Sequence, residues 1–223
     1  KFILGDQLDS VMNYVFRNAI IDFCKGVNAK YVMSNILNIL ENYPRPVIRV
    51  LMNLLSTHDT ERILTVIAGE PLNGRDRKWQ AETKLTKKQR KVGLQLVKIA
   101  TGIQYTLPGF PCVYYGDEAG MEGYRDPFNR CGFPWGKEDN DLVEWYKDLG
   151  QMRGSISAFC DGEFRPVYAD GNVISYLRYD NKSGIYCAFN SGDVDVIIDI
   201  PFSASQSTPY MGTEIIKNRV VVP

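Results

Sequence analysis

The sequence predicts an α/β fold built in two successive parts. Up to about residue 154, short apolar runs typical of strands alternate with amphipathic helical segments, and this alternation is characteristic of a barrel or a layered α/β domain. Beyond residue 155, the spacing of the apolar residues changes from about 3.6 to about 2, which predicts antiparallel strands. The apolar runs at 50–55 and 112–115 also end in polar residues, as the strands of barrel enzymes do.

Three units of strand followed by helix make up the first part. A strand at 8–14 precedes a helix that ends at Gly26, and Asn28 is a good cap for a second helix that runs to Pro44. Pro108 breaks a long amphipathic helix before the third strand. The remaining elements are predicted, in chain order, as a strand at 50–55, a helix at 60–68, a polar loop at 71–85, a helix at 86–107, a strand at 112–115, an ordered functional loop at 124–140 and a helix at 142–153 capped by Asp141.

The second part has the pattern of a small all-β domain. Alternating apolar and polar residues predict strands at 173–179, 185–190 and 194–200. Residues 170–172 and 181–184 are rich in Asp, Asn and Gly, which is the turn chemistry of hairpins. We therefore expect one domain over 1–154 and a second over 155–223.

The composition excludes several classes of function. Acidic and basic residues balance at 26 each, so the overall charge favours no polyanionic partner, and the basic stretch at 75–91 lacks the aromatic residues needed for nucleic-acid stacking. Five cysteines without a CxxC spacing indicate free thiols in a reducing, cytoplasmic compartment and no disulfide framework or zinc site, while secretion of the parent protein stays open as the alternative. With no apolar run of about 18 residues, no membrane partner is expected.

His58 and Asp59 are the first candidates for chemistry. His58 is the only histidine, and both residues follow the apolar run at 50–55. A structural explanation is that Asp59 caps the next helix while His58 packs beside it. Their place at the end of a strand in a barrel-like order favours a functional role instead.

Four segments in the right order resemble the alpha-amylase family of glycoside hydrolases, particularly its neopullulanase and cyclomaltodextrinase branch. In that family, the Ser-Thr-His-Asp-Thr run at 56–60 ends barrel strand seven, and the Gly-Phe-Pro-Cys-Val-Tyr-Tyr-Gly-Asp-Glu-Ala-Gly-Met run at 109–121 is strand eight. Residues 8–14 are similar to strand six, and 126–130 to the substrate loop after strand eight. The resemblance implies a partial (β/α)8 TIM barrel, strands six to eight with their helices, followed by a C-terminal antiparallel β-sandwich domain.

The resemblance also implies a role for four residues. Asp59 matches the third family carboxylate, a catalytic residue that holds the 2- and 3-hydroxyls of the sugar and helps distort its ring toward an oxocarbenium-like transition state. His58 matches a donor to the same sugar. Asp126 and Arg130 match contacts to more distant glucose units, although a local surface ion pair would also explain their spacing.

Other polar and aromatic residues have more than one interpretation. Asp117 and Glu118 resemble a structural tail of strand eight. Tyr124 and Trp135 could add a stacking surface for sugars or could simply pack. Asn13 could line the floor of the cleft or cap the end of its strand.

The function implied by the resemblance is retaining hydrolysis of α-glucans such as maltooligosaccharides, cyclodextrin, pullulan or starch. The family's nucleophilic Asp and acid/base Glu lie on strands four and five, upstream of this chain, so we expect the fragment alone to be inactive. The alternatives are a non-catalytic sugar-binding or assembly module, and a glucanotransferase or isomerase of the same family. We expect no cofactor and no metal site, with calcium left unassigned, and a partial barrel would expose an edge that favours a homo-oligomer.

Overall fold

The computed structural model describes residues 7–201, 214–216 and 219–223. The helices are α1 (Tyr14–Cys24), α2 (Ala29–Asn42), α3 (Arg45–Arg49), α4 (Ile63–Ala68), α5 (Arg77–Glu82), α6 (Lys87–Thr106), α7 (Asn140–Ser155) and α8 (Ser157–Asp161). The strands are β1 (Met52–Leu54), β2 (Phe110–Cys112), β3 (Glu163–Asp170), β4 (Val173–Tyr179), β5 (Gly184–Asn190), β6 (Val196–Asp199), β7 (Glu214–Ile216) and β8 (Arg219–Val222). A 3₁₀ turn spans Phe128–Arg130.

The first part contains a short parallel sheet. β1 pairs with β2 in parallel, with Met52 opposite Phe110. The strand predicted at 8–14 is reduced to a single parallel bridge between Met12 and Met52. β2 begins at Phe110, whose N–H donates to the carbonyl of Leu51, and ends at Cys112, so it shares only Cys112 with the strand predicted at 112–115. Three chain segments thus lie side by side in the predicted order, and the described residues form no closed barrel.

Local capping explains where most helices begin. The side chain of Asn13 accepts a hydrogen bond from the Phe16 N–H at the start of α1, and Asn28 does the same for Lys30 in α2. Thr86 and Gln89 form a capping box at α6. α7 is capped by Asp139 and not by the predicted Asp141, because the Asp139 carboxylate accepts from Leu142 N–H.

The structure corrects several boundaries. α4 begins at Ile63 with Arg62 at its N-cap, so Asp59 does not cap this helix and the structural explanation for Asp59 was wrong. A helix, α5, lies inside the segment predicted as loop, where Asp76 caps it through the Trp79 N–H. α3, α8, β3, β7 and β8 were not predicted. α3 starts directly after Pro44 and tolerates Pro46, because a proline within the first turn of a helix loses no intrahelical hydrogen bond.

Two three-stranded antiparallel sheets form the second part, in the orders β3-β4-β5 and β6-β8-β7. The β3–β4 pairing is interrupted by a register shift between Pro166 and Tyr168. The strand predicted at 194–200 is confirmed over Val196–Asp199. Within the described ranges, no helix has the length and apolar character needed to cross a bilayer.

The larger of two hydrophobic clusters among the described residues joins the two parts, and the smaller lies within the second part. The larger cluster includes Phe16 and Phe23 from α1, Phe159 from α8 and Tyr176 from β4, all of which are fully buried. Arg178 of β4 is also buried, and its guanidinium donates to backbone carbonyls of five residues: Thr106, Ala158, Phe159, Gly162 and Glu163. Burial lowers the pKa of Arg178 to about 10. The end of α6 is therefore bound directly to the second part of the chain, residues 163–223, which we call the β region.

Candidate functional site

Residues 57–60, which we call the β1 turn, carry His58 and Asp59. The turn closes on itself, because Asp59 N–H donates to Thr57 Oγ1 at 3.1 Å and Thr57 N–H donates to Thr60 Oγ1 at 3.0 Å. The side chains of His58 and Asp59 are 60% and 65% exposed, and Nε2 of His58 lies 3.3 Å from Oδ2 of Asp59. The turn thus presents an imidazole and a carboxylate side by side at the carboxyl end of β1.

A second segment, the 123–131 loop, lies against the β1 turn. Gly123 fixes its start, since Arg62 N–H donates to the Gly123 carbonyl and Gly123 N–H donates to Thr65 Oγ1, both at 2.9 Å. A Cβ at Gly123 would lie 2.3 Å from the carbonyl oxygen of Phe128. Only glycine permits this close approach, which folds the loop back toward the turn.

Arg130 connects the four predicted site residues. Its Nε lies 3.0 Å from Oδ1 of Asp126 and 3.1 Å from the carbonyl oxygen of His58, and its Nη2 lies 3.9 Å from Oδ1 of Asp59. Arg130 and Asp126 are about half exposed. The local ion pair expected from their spacing is present, but Arg130 also reaches the β1 turn. The structure brings His58, Asp59, Asp126 and Arg130 together.

Asn129, a residue of the 123–131 loop, is buried against the β1 turn. Its Nδ2 lies 3.2 Å from the carbonyl oxygen of Thr57, 2.8 Å from that of His58 and 2.7 Å from that of Thr60. Its relative exposure is 0%. One side-chain amide therefore contacts three of the four carbonyl groups of the turn.

A buried ion pair between Arg62 and Asp117 lies next to the β1 turn in the interior of the protein. Arg62 and Asp117 are 0% and 3% exposed, and Nη1 lies 3.2 Å from Oδ1. The guanidinium lies over the rings of Tyr114 and Tyr115, at 4.4 and 4.7 Å from their centroids. Burial raises the pKa of the Asp117 carboxyl to about 6 and outweighs the opposite effects of the Ser56 hydroxyl and the Arg62 charge. The pair therefore holds together two segments whose residues lie 55 positions apart in the chain.

The structure distinguishes among the other candidates. Asp117 is buried in its ion pair and Glu118 accepts from Gly116 N–H, as a structural role requires. Tyr124 is only 5% exposed and packs on Trp79 with the ring centroids 4.9 Å apart, so it offers no stacking surface. Trp135 is 81% exposed, so its ring is accessible for stacking on a sugar. Asn13 is a helix cap.

Two important residues were missed from the sequence, Arg62 and Asn129. Both are polar side chains at 0% exposure, and a charged or amide group is rarely so buried unless it is paired. The only feature of the sequence that could have indicated Asn129 is its position between Asp126 and Arg130, two residues already predicted for the site. Its partners lie about 70 residues away in the chain, so no local pattern identifies them.

The exposed groups at the site are suited to binding hydroxyl-rich ligands. Two carboxylates accept hydrogen bonds, a guanidinium donates them in a fixed fork, and an imidazole can do either. Within the described ranges, no group of three or more His, Cys, Asp and Glu side chains is arranged to hold a metal ion. The five cysteines are free thiols, of which Cys24 and Cys187 are buried.

The chain as a whole is similar to several known proteins. Over 188 residues the chain is 38% identical to an amylopullulanase from Thermoanaerobacter thermohydrosulfuricus, a match that covers 79% of this chain and 12% of that protein. It is 34% identical to a cyclomaltodextrinase from a Bacillus species over 94% of this chain and 34% of that protein. The chain thus spans about a third or less of these relatives.

Solved structures agree with this result. A cyclomaltodextrinase structure superposes with a TM-score of 0.79 at 30% identity, covering 98% of this chain and 36% of the other. A debranching enzyme from Nostoc punctiforme gives a TM-score of 0.81 at 24% identity, with 100% of this chain and 47% of the other covered, and so shares the fold. The family model of the alpha amylase catalytic domain matches residues 1–158. The chain therefore belongs to the alpha-amylase family.

Proposed function

We propose that this chain is the C-terminal portion of a retaining glycoside hydrolase that acts on α-glucans such as maltooligosaccharides, cyclodextrins, pullulan or starch. The observation that carries the proposal is the cluster of His58, Asp59, Asp126 and Arg130 at the carboxyl end of β1. Membership of the alpha-amylase family supports it, as does similarity to relatives named cyclomaltodextrinase and amylopullulanase.

The proposed architecture follows the same comparison. The Met12 bridge, β1 and β2 correspond to strands six, seven and eight of a (β/α)8 barrel, and the two antiparallel sheets correspond to a C-terminal sandwich. The parallel pairing of the three segments supports this assignment. In barrel enzymes the active site lies at the carboxyl ends of the strands, which is where the β1 turn lies.

In the proposed mechanism, this chain binds and distorts the sugar. Asp59 accepts hydrogen bonds from the 2- and 3-hydroxyls and stabilises the positive charge that develops on the ring, while His58 donates to the same sugar. Asp126 and Arg130 hold glucose units further from the cleaved bond. The nucleophile and the acid/base, two carboxyl groups about 5 Å apart in retaining enzymes, are supplied by a segment that precedes this chain. The 223-residue chain alone therefore hydrolyses nothing.

The chemistry needs no cofactor, because carboxyl groups perform every step of the double displacement. Calcium has no role assigned in the proposal. The free thiols suit a reducing compartment, so we place the enzyme in the cytoplasm.

The decisive experiment compares Asp59→Asn with the parent protein of full length. Hydrolysis of maltotriose, cyclodextrin and pullulan is measured, and intact mass confirms which segments the sample contains. We expect kcat to fall by at least about 100-fold, since a charge held at a developing cation acts mainly in the transition state. Asp195→Asn, a substitution of an exposed carboxylate in the β region, is the matched control and should leave kcat unchanged. A fully active Asp59→Asn enzyme, or hydrolysis by the 223-residue chain alone, would contradict the proposal.

A further inference from the structure

We propose that Asn129 is the positioning residue of the site: its amide sets the conformation of the β1 turn and thereby places Asp59 for the substrate. The inference rests on the function proposed above for Asp59. Asn129 itself touches the backbone of the turn and not its exposed side chains.

The first argument is the chemistry of the contact. The carbonyl oxygens of Thr57, His58 and Thr60 converge on one nitrogen at 3.2, 2.8 and 2.7 Å. A side-chain NH₂ group offers two protons and no lone pair that would repel a carbonyl. A carboxylate of the same shape would place an acceptor against three acceptors. Asparagine therefore suits this position in a way that its closest isostere does not.

The second argument is the orientation of the amide. Oδ1 of Asn129 is buried and finds no hydrogen-bond partner in the part of the chain that the structure describes. Turning the amide over would point this oxygen at the three carbonyl groups and remove every donor from them. Leaving a buried acceptor unpaired destabilises a protein. In the described structure the amide is therefore oriented so that its NH₂ group donates to the turn, although its own oxygen has no hydrogen-bond partner.

The third argument is that Asn129 is anchored independently of the turn. It lies in the 3₁₀ turn Phe128–Arg130, which is packed against Gly123, and Gly123 is bonded to the backbone and side chain of the α4 segment. The amide is therefore fixed from one side while it binds the turn on the other. The side chains of His58 and Asp59 remain exposed, so the turn is held by its carbonyl groups and presents its side chains to solvent.

The test uses Asn129→Asp, which keeps the shape and removes the donor. In the full-length enzyme at pH 8 we expect kcat for maltotriose to fall about 100-fold, the scale of a misplacement by about 1 Å. KM should change much less than kcat. The matched control is Asn190→Asp, because Asn190 is also buried and its Nδ2 donates to the carbonyls of Val194 and Val222. It should lower the unfolding temperature and leave kcat unchanged.

Coupling to Asp59 separates positioning from a general loss of structure. In an Asp59→Asn background, Asn129→Asp should lower the residual kcat by less than about twofold, because residues that act as one unit are not additive. Multiplicative losses, or an unchanged kcat in the single variant, would overturn the inference. So would an equal loss of kcat in Asn190→Asp.

Hydrogen exchange keeps the inference testable apart from activity. Asn129→Asp should speed amide exchange in residues 57–60, whereas Asn190→Asp should not. Asn129→Ser, which retains one hydroxyl donor, should give an intermediate effect and serves if the first variant fails to fold. If Asp59→Asn stays active while exchange in the turn responds to Asn129, the proposed function fails and the placement of the turn by Asn129 stands. Unchanged exchange in both Asn129 variants refutes the positioning role.

Discussion

Removing the Arg62 guanidinium is expected to destabilise the protein strongly and in a manner that depends on pH. Two unit charges 3.2 Å apart attract by about 5 kcal/mol at an effective dielectric constant of about 20. Both side chains are almost fully buried, so Arg62→Leu leaves an uncompensated carboxylate in the interior. The expected loss of unfolding free energy at pH 8 is about 3–5 kcal/mol.

The pH dependence follows from the pKa of Asp117. Because the folded-state pKa is raised to about 6 from 3.8, the folded protein binds this proton more readily than the unfolded chain. The contribution of Asp117 to stability is therefore greatest below about pH 4 and declines as pH rises through about 6. At pH 5 the carboxyl is largely protonated, so Arg62→Leu should cost clearly less there than at pH 8.

Denaturant unfolding followed by tryptophan fluorescence, at pH 5 and pH 8, measures both effects. Arg125→Leu is the matched control, because Arg125 pairs with Glu61 at 3.1 Å but is 65% exposed, and such surface pairs contribute less than about 1 kcal/mol. Adding Asp117→Leu to Arg62→Leu should restore much of the stability at pH 8. Equal losses at the two pH values, or a loss no larger than that of Arg125→Leu, would refute the reasoning.

Three further predictions concern stability. Gly93→Ala should destabilise the protein by about 1–3 kcal/mol, because a Cβ there would lie 2.5 Å from that of Ala68. Gly150 is a helical position where a Cβ would meet nothing within 4 Å, so Gly150→Ala should stabilise the protein by up to about 1 kcal/mol. Thermal unfolding of the two variants measures both effects. Three hydrogen bonds lower the pKa of Asp180 to about 2, so its contribution is present above about pH 4 and is lost as pH falls toward 2. An acid titration of Asp180→Asn should lack that loss. Arg178→Met should cost at least about 3 kcal/mol by leaving buried carbonyls unpaired, and an unfolding temperature equal to that of the wild type would contradict this.

Much of the first part could be predicted from the sequence, because its signals are local. Asn28 and the Thr86 segment begin helices through side chains within three residues of the helix start. The apolar run before His58 was predicted as a strand and contains β1, whose parallel partner β2 begins two residues earlier than the strand predicted at 112–115. Elements that depend on contacts between residues distant in the sequence were not predicted. α5 has only six residues in a polar segment, and the contact of its Trp79 with Tyr124 crosses 45 positions.

The residues of the site likewise include some that the sequence could predict and some that it could not. His58 and Asp59 could be proposed because they follow a strand, and Asp126 and Arg130 because they resemble a family loop. Arg62 could not be foreseen, since nothing in its neighbourhood shows that a guanidinium enters the interior to meet a carboxylate 55 residues later. Asp59→Asn tests the role of Asp59, and the roles of His58, Asp126 and Arg130 stay predictions.

The contact between Arg178 and the end of α6 has a consequence for biosynthesis. The guanidinium that binds the Thr106 carbonyl lies 72 residues further along the chain, and the Tyr176 hydroxyl that pairs with Thr106 Oγ1 lies 70 residues further. As the polypeptide leaves the ribosome, α6 emerges long before either partner exists. The first part therefore cannot complete its interior until β4 has been translated, and a chimera that exchanges the β region must bring an equivalent arginine and tyrosine with it.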